Sequence, residues 1–279
     1  MRIDAHQHFW SLARGDYGWL TPALGPIYRD FGPEDIAPLL AAHAIDRTIL
    51  VQAAPTEAET LLLLEIAAKT AFVAGVVGWS EFAAPSAAQR IAALAENRLL
   101  VGLRPMAHDI ADPHWLARPA LDAAFAALSE HDLVFDALLR PAHIEAMLSR
   151  LERSPGLVCV IDHAAKPDLT GGSLAGWRAG ISTLARHPSV FCKLSGLVTE
   201  AGADWTRETL VPVVDHVLAS FGPERVIWGS DWPVVTLRAS YARWLETAEL
   251  LLAPLDSAAR EAIMGGNARR LYLSRRGRA

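Results

Sequence analysis

Met1-Arg2-Ile3-Asp4-Ala5-His6-Gln7-His8 opens the chain, a short apolar run that ends in two histidines spaced two apart. On a β-strand, side chains two apart point to the same face. A strand over residues 2–8 therefore sends both imidazoles to one side of its C-terminal tip. Two aligned imidazoles can hold a metal ion or polarise a carbonyl group.

Working outward, seven more apolar or β-branched runs follow, at 48–53, 72–79, 99–104, 133–138, 157–163, 190–194 and 226–231. Helix-like stretches alternate with them at 34–44, 57–70, 87–97, 120–131, 142–153, 174–187, 206–221 and 241–252, and a final one at 257–272 closes the chain. Pro33-Glu34-Asp35, Pro55-Thr56-Glu57 and Pro141 put proline and acids near first helical turns. The strands read as continuous apolar runs, as they do when both faces of a sheet are covered. Eight βα units predict an α/β fold, a single (β/α)₈ TIM-type barrel over residues 1–279. An open doubly wound sheet is the alternative. No G-x-G-x-x-G follows the first strand, which argues against a nucleotide site there.

Half of the residues are hydrophobic, enough for a sizeable core, and the net charge of -5 comes with no basic stripe. Only Ser274-Arg275-Arg276-Gly277-Arg278 is locally basic, and it reads as a solvated end. Nucleic acid is excluded as a partner on this basis. Cys159 and Cys192 lie in apolar runs and read as buried thiols of a reducing compartment. The N-terminus lacks a signal-peptide pattern, and no uncharged apolar run reaches the ~18 residues that span a bilayer. The expected location is the cytoplasm, with no membrane partner.

In a (β/α)₈ barrel the site lies at the C-terminal ends of the strands. The polar residues at those ends are His6 and His8, Gln52, Trp79, Arg104, Asp136, Asp162-His163 with Lys166, Lys193 and Ser195, and Asp231. His6-x-His8, His163 and Asp231 within Gly229-Ser230-Asp231-Trp232-Pro233 together resemble the amidohydrolase superfamily. Asp162-His163-Ala164-Ala165-Lys166-Pro167, Lys193-Leu194-Ser195-Gly196 and Gly266-Asn267-Ala268-Arg269-Arg270-Leu271-Tyr272 are similar to its lactonase branch, of the amidohydrolase-2 type. The resemblance covers essentially the whole chain.

That resemblance implies a hydrolase acting on a small sugar-derived lactone, such as L-fuconolactone or a related aldonolactone. Lactone opening needs an activated water, a polarised carbonyl and a proton for the ring oxygen. Asp231 is the expected base and then acid, its pKa raised by Trp228, Trp232 and Pro233. His6, His8 and His163 are the expected donors to the oxyanion. Gln52, Trp79, Arg104, Asp136 and Lys193 are the expected substrate contacts, with an Arg104–Asp136 pair as the alternative for those two. No lysine or glutamate stands where binuclear relatives bridge two metals, and the lactonase branch implies that metal is dispensable. The expectation is no required cofactor. If one divalent cation such as zinc is bound, His6, His8, His163 and Asp231 are its ligands. The alternatives are a metal-dependent decarboxylase of the same superfamily, a hydrolase of a dicarboxylate lactone, and a non-catalytic ligand-binding barrel.

Overall fold

The computed structural model describes residues 1–276, so Gly277 and Arg278 of the basic tail lie outside the described residues. Eight parallel strands follow one another around a single sheet in chain order. They are β1 (Ile3–Gln7), β2 (Arg47–Val51), β3 (Val73–Gly78), β4 (Leu100–Leu103), β5 (Val134–Ala137), β6 (Cys159–Ile161), β7 (Val190–Leu194) and β8 (Val226–Trp228). The intervening helices are α1 (Pro33–Ala42), α2 (Glu57–Lys69), α3 (Ala87–Ala95), α4 (Asp122–Glu130), α5 (Ile144–Arg153), α6 (Ala175–Leu184) and α7 (Arg207–Phe221). After β8 come α8 (Tyr241–Leu252) and the short α9 (Ser257–Glu261). This is the (β/α)₈ barrel expected from the sequence. Two helix-start signals work as read. Pro33 occupies the first turn of α1, where the Asp35 carboxylate accepts from Gly32 N at 2.9 Å, and the Thr56 hydroxyl of α2 accepts from Glu59 N at 3.1 Å.

The barrel closes between β1 and the segment after β8. His8 N donates to Trp232 O at 2.8 Å, and Asp231 N donates to His6 O at 2.7 Å. Asp4 fastens this seam from outside, accepting from Ser230 N at 2.8 Å, His6 N at 3.2 Å and the Tyr241 hydroxyl at 3.1 Å. Burial pushes the Asp4 carboxyl up to about 6 against these hydrogen bonds.

Inside the barrel, Ile3, Ala5, Ile49, Val51, Val77, Val101, Val134, Val160 and Ile227 pack on one another. Full burial of each larger side chain contributes about 1.5–3 kcal/mol relative to exposure. The bottom of the barrel is plugged by Ala268, Leu271, Tyr272 and Leu273. The run read as one helix over 257–272 is therefore interrupted. It leaves α9 through widened turns at Ala262–Gly266 and Arg269–Leu273. Gly265 passes directly beneath β1, where a Cβ would collide with the Met1 carbonyl. The second hydrophobic layer lies between strands and helices. Among the described residues, no helix is long and apolar enough to cross a membrane. Cys159 and Cys192 are buried free thiols.

Candidate active site

The β1–β2 register pairs Asp4 with Thr48 but Gln7 with Leu50, so β1 carries one extra residue between them. This bulge changes which residues face the axis. Ile3 and Ala5 fill the barrel interior, and His6 then takes the inward position that strict alternation would deny it. His8 follows it on the same side, whereas Gln7 turns away to donate to the Thr48 hydroxyl at 3.2 Å.

His163 arrives by a different device. His163, Ala164, Ala165 and Lys166 have φ of 53, 48, 57 and 52°, a left-handed turn without a glycine. Each such residue costs about 1–2 kcal/mol. The turn is held by Lys166 N donating to His163 O at 2.8 Å and by the Trp177 indole donating to Ala164 O at 2.6 Å. Gly196, itself at φ +61, leaves room for the ring, since a Cβ there would lie 2.5 Å from His163 Nδ1. Asp231 also sits at φ 59. Backbone strain thus gathers where His163 and Asp231 are aimed.

These four side chains converge. Asp231 Oδ1 lies 3.4 Å from His8 Nε2, 3.6 Å from His6 Nε2 and 4.0 Å from His163 Nε2. The His6 ring is 4.9 Å from the His8 ring and 4.6 Å from the His163 ring, centre to centre. His8 Nδ1 donates to the Val51 carbonyl at 2.8 Å, and His163 Nδ1 is 2.8 Å from the Ser195 hydroxyl. Burial holds His6 and His163 well below the usual imidazole range. The raised pKa expected for Asp231 is corrected by the structure. Burial does push that carboxyl up, but His163, His8 and Lys166 outweigh it and leave the group below its ordinary value. Its charge is met by imidazoles rather than by the neighbouring tryptophans.

Beneath this group lies a second set of charges. Lys193 Nζ donates to Asp136 Oδ2 at 2.7 Å, lies 2.8 Å from Asp162 Oδ1 and reaches His6 Nδ1 at 3.3 Å. The Tyr272 hydroxyl lies 2.9 and 2.8 Å from the two oxygens of Asp136. Burial pushes Lys193 down, but the two carboxylates outweigh it and hold the ammonium above its ordinary value. Arg104 NH1 is 3.4 Å from Asp162 and from His6 Nε2, and its other arm donates to the Gln52 carbonyl and to Gln52 Oε1. The Arg104–Asp136 pair considered from the sequence does not form: Arg104 takes Asp162, and Lys193 takes Asp136.

A cleft of about 190 Å³ opens above Asp231, walled by His8, His163, Arg104, His108, Lys166 and Trp19 among others. Of the expected substrate contacts, only Arg104 reaches this wall. Gln52, Asp136 and Lys193 are fully buried beneath it, and Trp79 lines a neighbouring hollow instead. The sequence reading gave no role to Asp162, Ser195, Tyr272 or Trp19. Asp162 and Ser195 stand beside His163 and Lys193 in the motifs already quoted, so their proximity was a usable signal. Trp19 comes from the long segment after β1, where no periodicity marks it.

His6, His163 and Asp231 offer ligand atoms that all lie within 4.8 Å of one another, and this donor set can hold a divalent cation. The hydrogen bonding fits such an ion. A carbonyl only accepts, so His8 Nδ1 carries a hydrogen. Its Nε2 faces Asp231 Oδ1, a contact that needs a hydrogen or a cation between two electron pairs. His8 lies outside the compact trio, although it was expected among the ligands.

Residues 3–273 match the Amidohydrolase family, and the chain belongs to it. It is 46% identical over 275 residues to the L-fucono-1,5-lactonase of Burkholderia ambifaria, covering 97% of this chain and 95% of that one. It is 38% identical to the L-fucono-1,5-lactonase of Burkholderia multivorans, covering 98% and 96%. A crystal structure of a Burkholderia multivorans amidohydrolase with bound zinc superposes with a TM-score of 0.92 at 38% identity, covering 98% of this chain and 99% of that one.

Proposed function

We propose that this chain is a carboxylic ester hydrolase that opens a small sugar-derived lactone to the free aldonic acid, L-fucono-1,5-lactone being the first candidate. The observation that carries the reading is the Asp231 carboxylate facing His6, His8 and His163 at the floor of a cleft sized for one sugar ring. The two lactonases named above, similar over nearly their whole length, support the substrate class over the decarboxylase alternative.

In this reading a water in the cleft gives a proton to Asp231 as its oxygen attacks the lactone carbonyl carbon. The imidazoles line the position of the developing oxyanion, with Lys193 and Arg104 adding positive field from beneath His6. The bond from the carbonyl carbon to the ring oxygen then breaks, and Asp231 returns the proton to that oxygen. The new acid ionises and releases one proton to solvent. A divalent cation held by His6, His163 and Asp231 would polarise the carbonyl or acidify the water when bound. An ester is activated enough for the residues to act without it, so no metal is required in this proposal. Arg104 binds a substrate oxygen from the wall, and Gln52, Asp136 and Lys193 act from beneath by holding Arg104 and His6 in place. The proposed setting is the cytoplasm, on the two buried free thiols.

The test is a pH-indicator assay of purified protein on L-fucono-1,5-lactone and a panel of stereoisomeric aldonolactones. One proton per turnover is expected above spontaneous hydrolysis. Rates no higher than the spontaneous ones across the whole panel would reject the reading.

A further inference from the structure

The 190 Å³ cleft above Asp231 matches the size of a single sugar lactone. A six-carbon lactone of about a dozen heavy atoms occupies on the order of 150–200 Å³ at interior packing density. Yet a second hollow of about 510 Å³ adjoins the cleft, the two sharing Trp19, Met106 and Asp109 as walls. One small lactone leaves this space unused.

The walls of the hollow say what would fill it. Trp19, Trp79 and Trp115 line it, together with the acids Asp16, Glu81 and Asp109. Flat indole faces beside carboxylate acceptors suit a ring with an apolar face and a rim of hydroxyl donors. Asp16 is already paired with Arg14 at 2.6 Å, which leaves Glu81 and Asp109 to disfavour a carboxylated or phosphorylated occupant. Most of the indole nitrogens are already bonded. Those of Trp10, Trp19, Trp177, Trp205 and Trp244 each donate to a backbone carbonyl. Those of Trp79 and Trp115, on two walls of the hollow, donate to nothing among the described residues, as does that of Trp228 in the core, so an occupant of the hollow could accept from the first two.

We propose that this hollow is a second sugar subsite, so that the enzyme opens aldonolactones bearing a glycosyl substituent in preference to the free lactone. The inference rests on the lactonase reading and deepens it. The lactone ring sits over Asp231, and the neutral appended pyranose lies against Trp79 and Trp115.

The experiment compares kcat/KM for L-fucono-1,5-lactone with that for its three derivatives carrying a β-galactosyl group on O2, O3 or O4. At least one derivative is expected to exceed the free lactone, by about tenfold if one sugar stacks productively. Trp79→Ala, and independently the exposed Glu81→Ala, should lower that ratio at least threefold in protein whose circular dichroism is unchanged. If no derivative exceeds the free lactone, or if neither variant lowers the ratio, the subsite is refuted while the lactonase reading stands. If none of the four compounds is opened, the lactonase reading falls, and the subsite with it.

Discussion

Two groups of ionisable side chains share the barrel axis, one above the other, and they are built to different rules. In the lower group every charge is closely met. Lys193 is 2.7 and 2.8 Å from two carboxylates, Tyr272 lies within 2.9 Å of Asp136, and Arg104 is bound to Gln52. In the upper group Asp231 faces three imidazoles at 3.4–4.0 Å. None of these reaches the ~2.7–2.9 Å of a strong charge-assisted hydrogen bond. The lower group is closely paired, with only Arg104 Nε and Asp162 Oδ1 lacking a hydrogen bond among its side chains, and apart from Arg104 it holds position rather than meeting the substrate. The upper group keeps unused bonding capacity, the condition for receiving water, substrate or an ion. His6 belongs to both and transmits the position of one to the other. Stability and chemistry should therefore separate under mutation.

The largest effect expected in the lower group comes from Lys193→Met. It leaves Asp136 buried without its cation and Asp162 with Arg104 alone at 3.4 Å, a loss of about 3–5 kcal/mol. Chemical denaturation should show it, and a loss under 1 kcal/mol would break the distinction between the two groups. Tyr272→Phe removes a hydroxyl donor to Asp136 and should cost about 1.5–3 kcal/mol. The kcat of the folded protein should stay within a factor of about three, because Tyr272 touches nothing in the cleft. A collapse of kcat would mean that the plug at the bottom sets the geometry at the top.

Arg104 stands at the boundary, in the cleft wall yet bound to Asp162 and Gln52. Arg104→Met should raise KM by about tenfold with a smaller fall in kcat, the signature of binding shared by ground and transition states. An unchanged KM with a collapsed kcat would assign it to the reacting carbonyl. The smallest effect is expected from chelation and desalting, less than a twofold change in lactone turnover. Loss of activity in proportion to metal removed, restored by one equivalent of zinc, would make the imidazoles metal ligands in the working enzyme.

The comparison also explains what was legible in the chain. The strands were readable because both of their faces are covered, so runs such as Val73–Gly78 are apolar throughout. His6, His8, His163 and Asp231 were readable because each ends a strand or follows one directly. The bulge in β1 was not, since nothing in Asp4-Ala5-His6 announces the extra residue; it emerges only from pairing with Thr48 and Leu50. The depth of Gln52, Asp136 and Lys193 was equally hidden. A polar residue at a strand tip reads alike whether it faces the cleft or the layer beneath, and only its partners decide. The final segment looked like one helix because its composition is helical, but its fit under β1 is a tertiary constraint that bends it at Gly265.

The measurement that bears most directly on the whole is a paired one on Asp231→Asn, melting temperature and lactone turnover from the same preparation. Removing a base at the site of bond making should lower kcat/KM by ~10²–10⁴-fold. Because Asp231 makes no short bond to the imidazoles, the melting temperature should stay at or above that of the unaltered protein. A folded variant that retained more than about a tenth of the activity, or one that lost activity only by unfolding, would contradict the assignment of chemistry to the upper group.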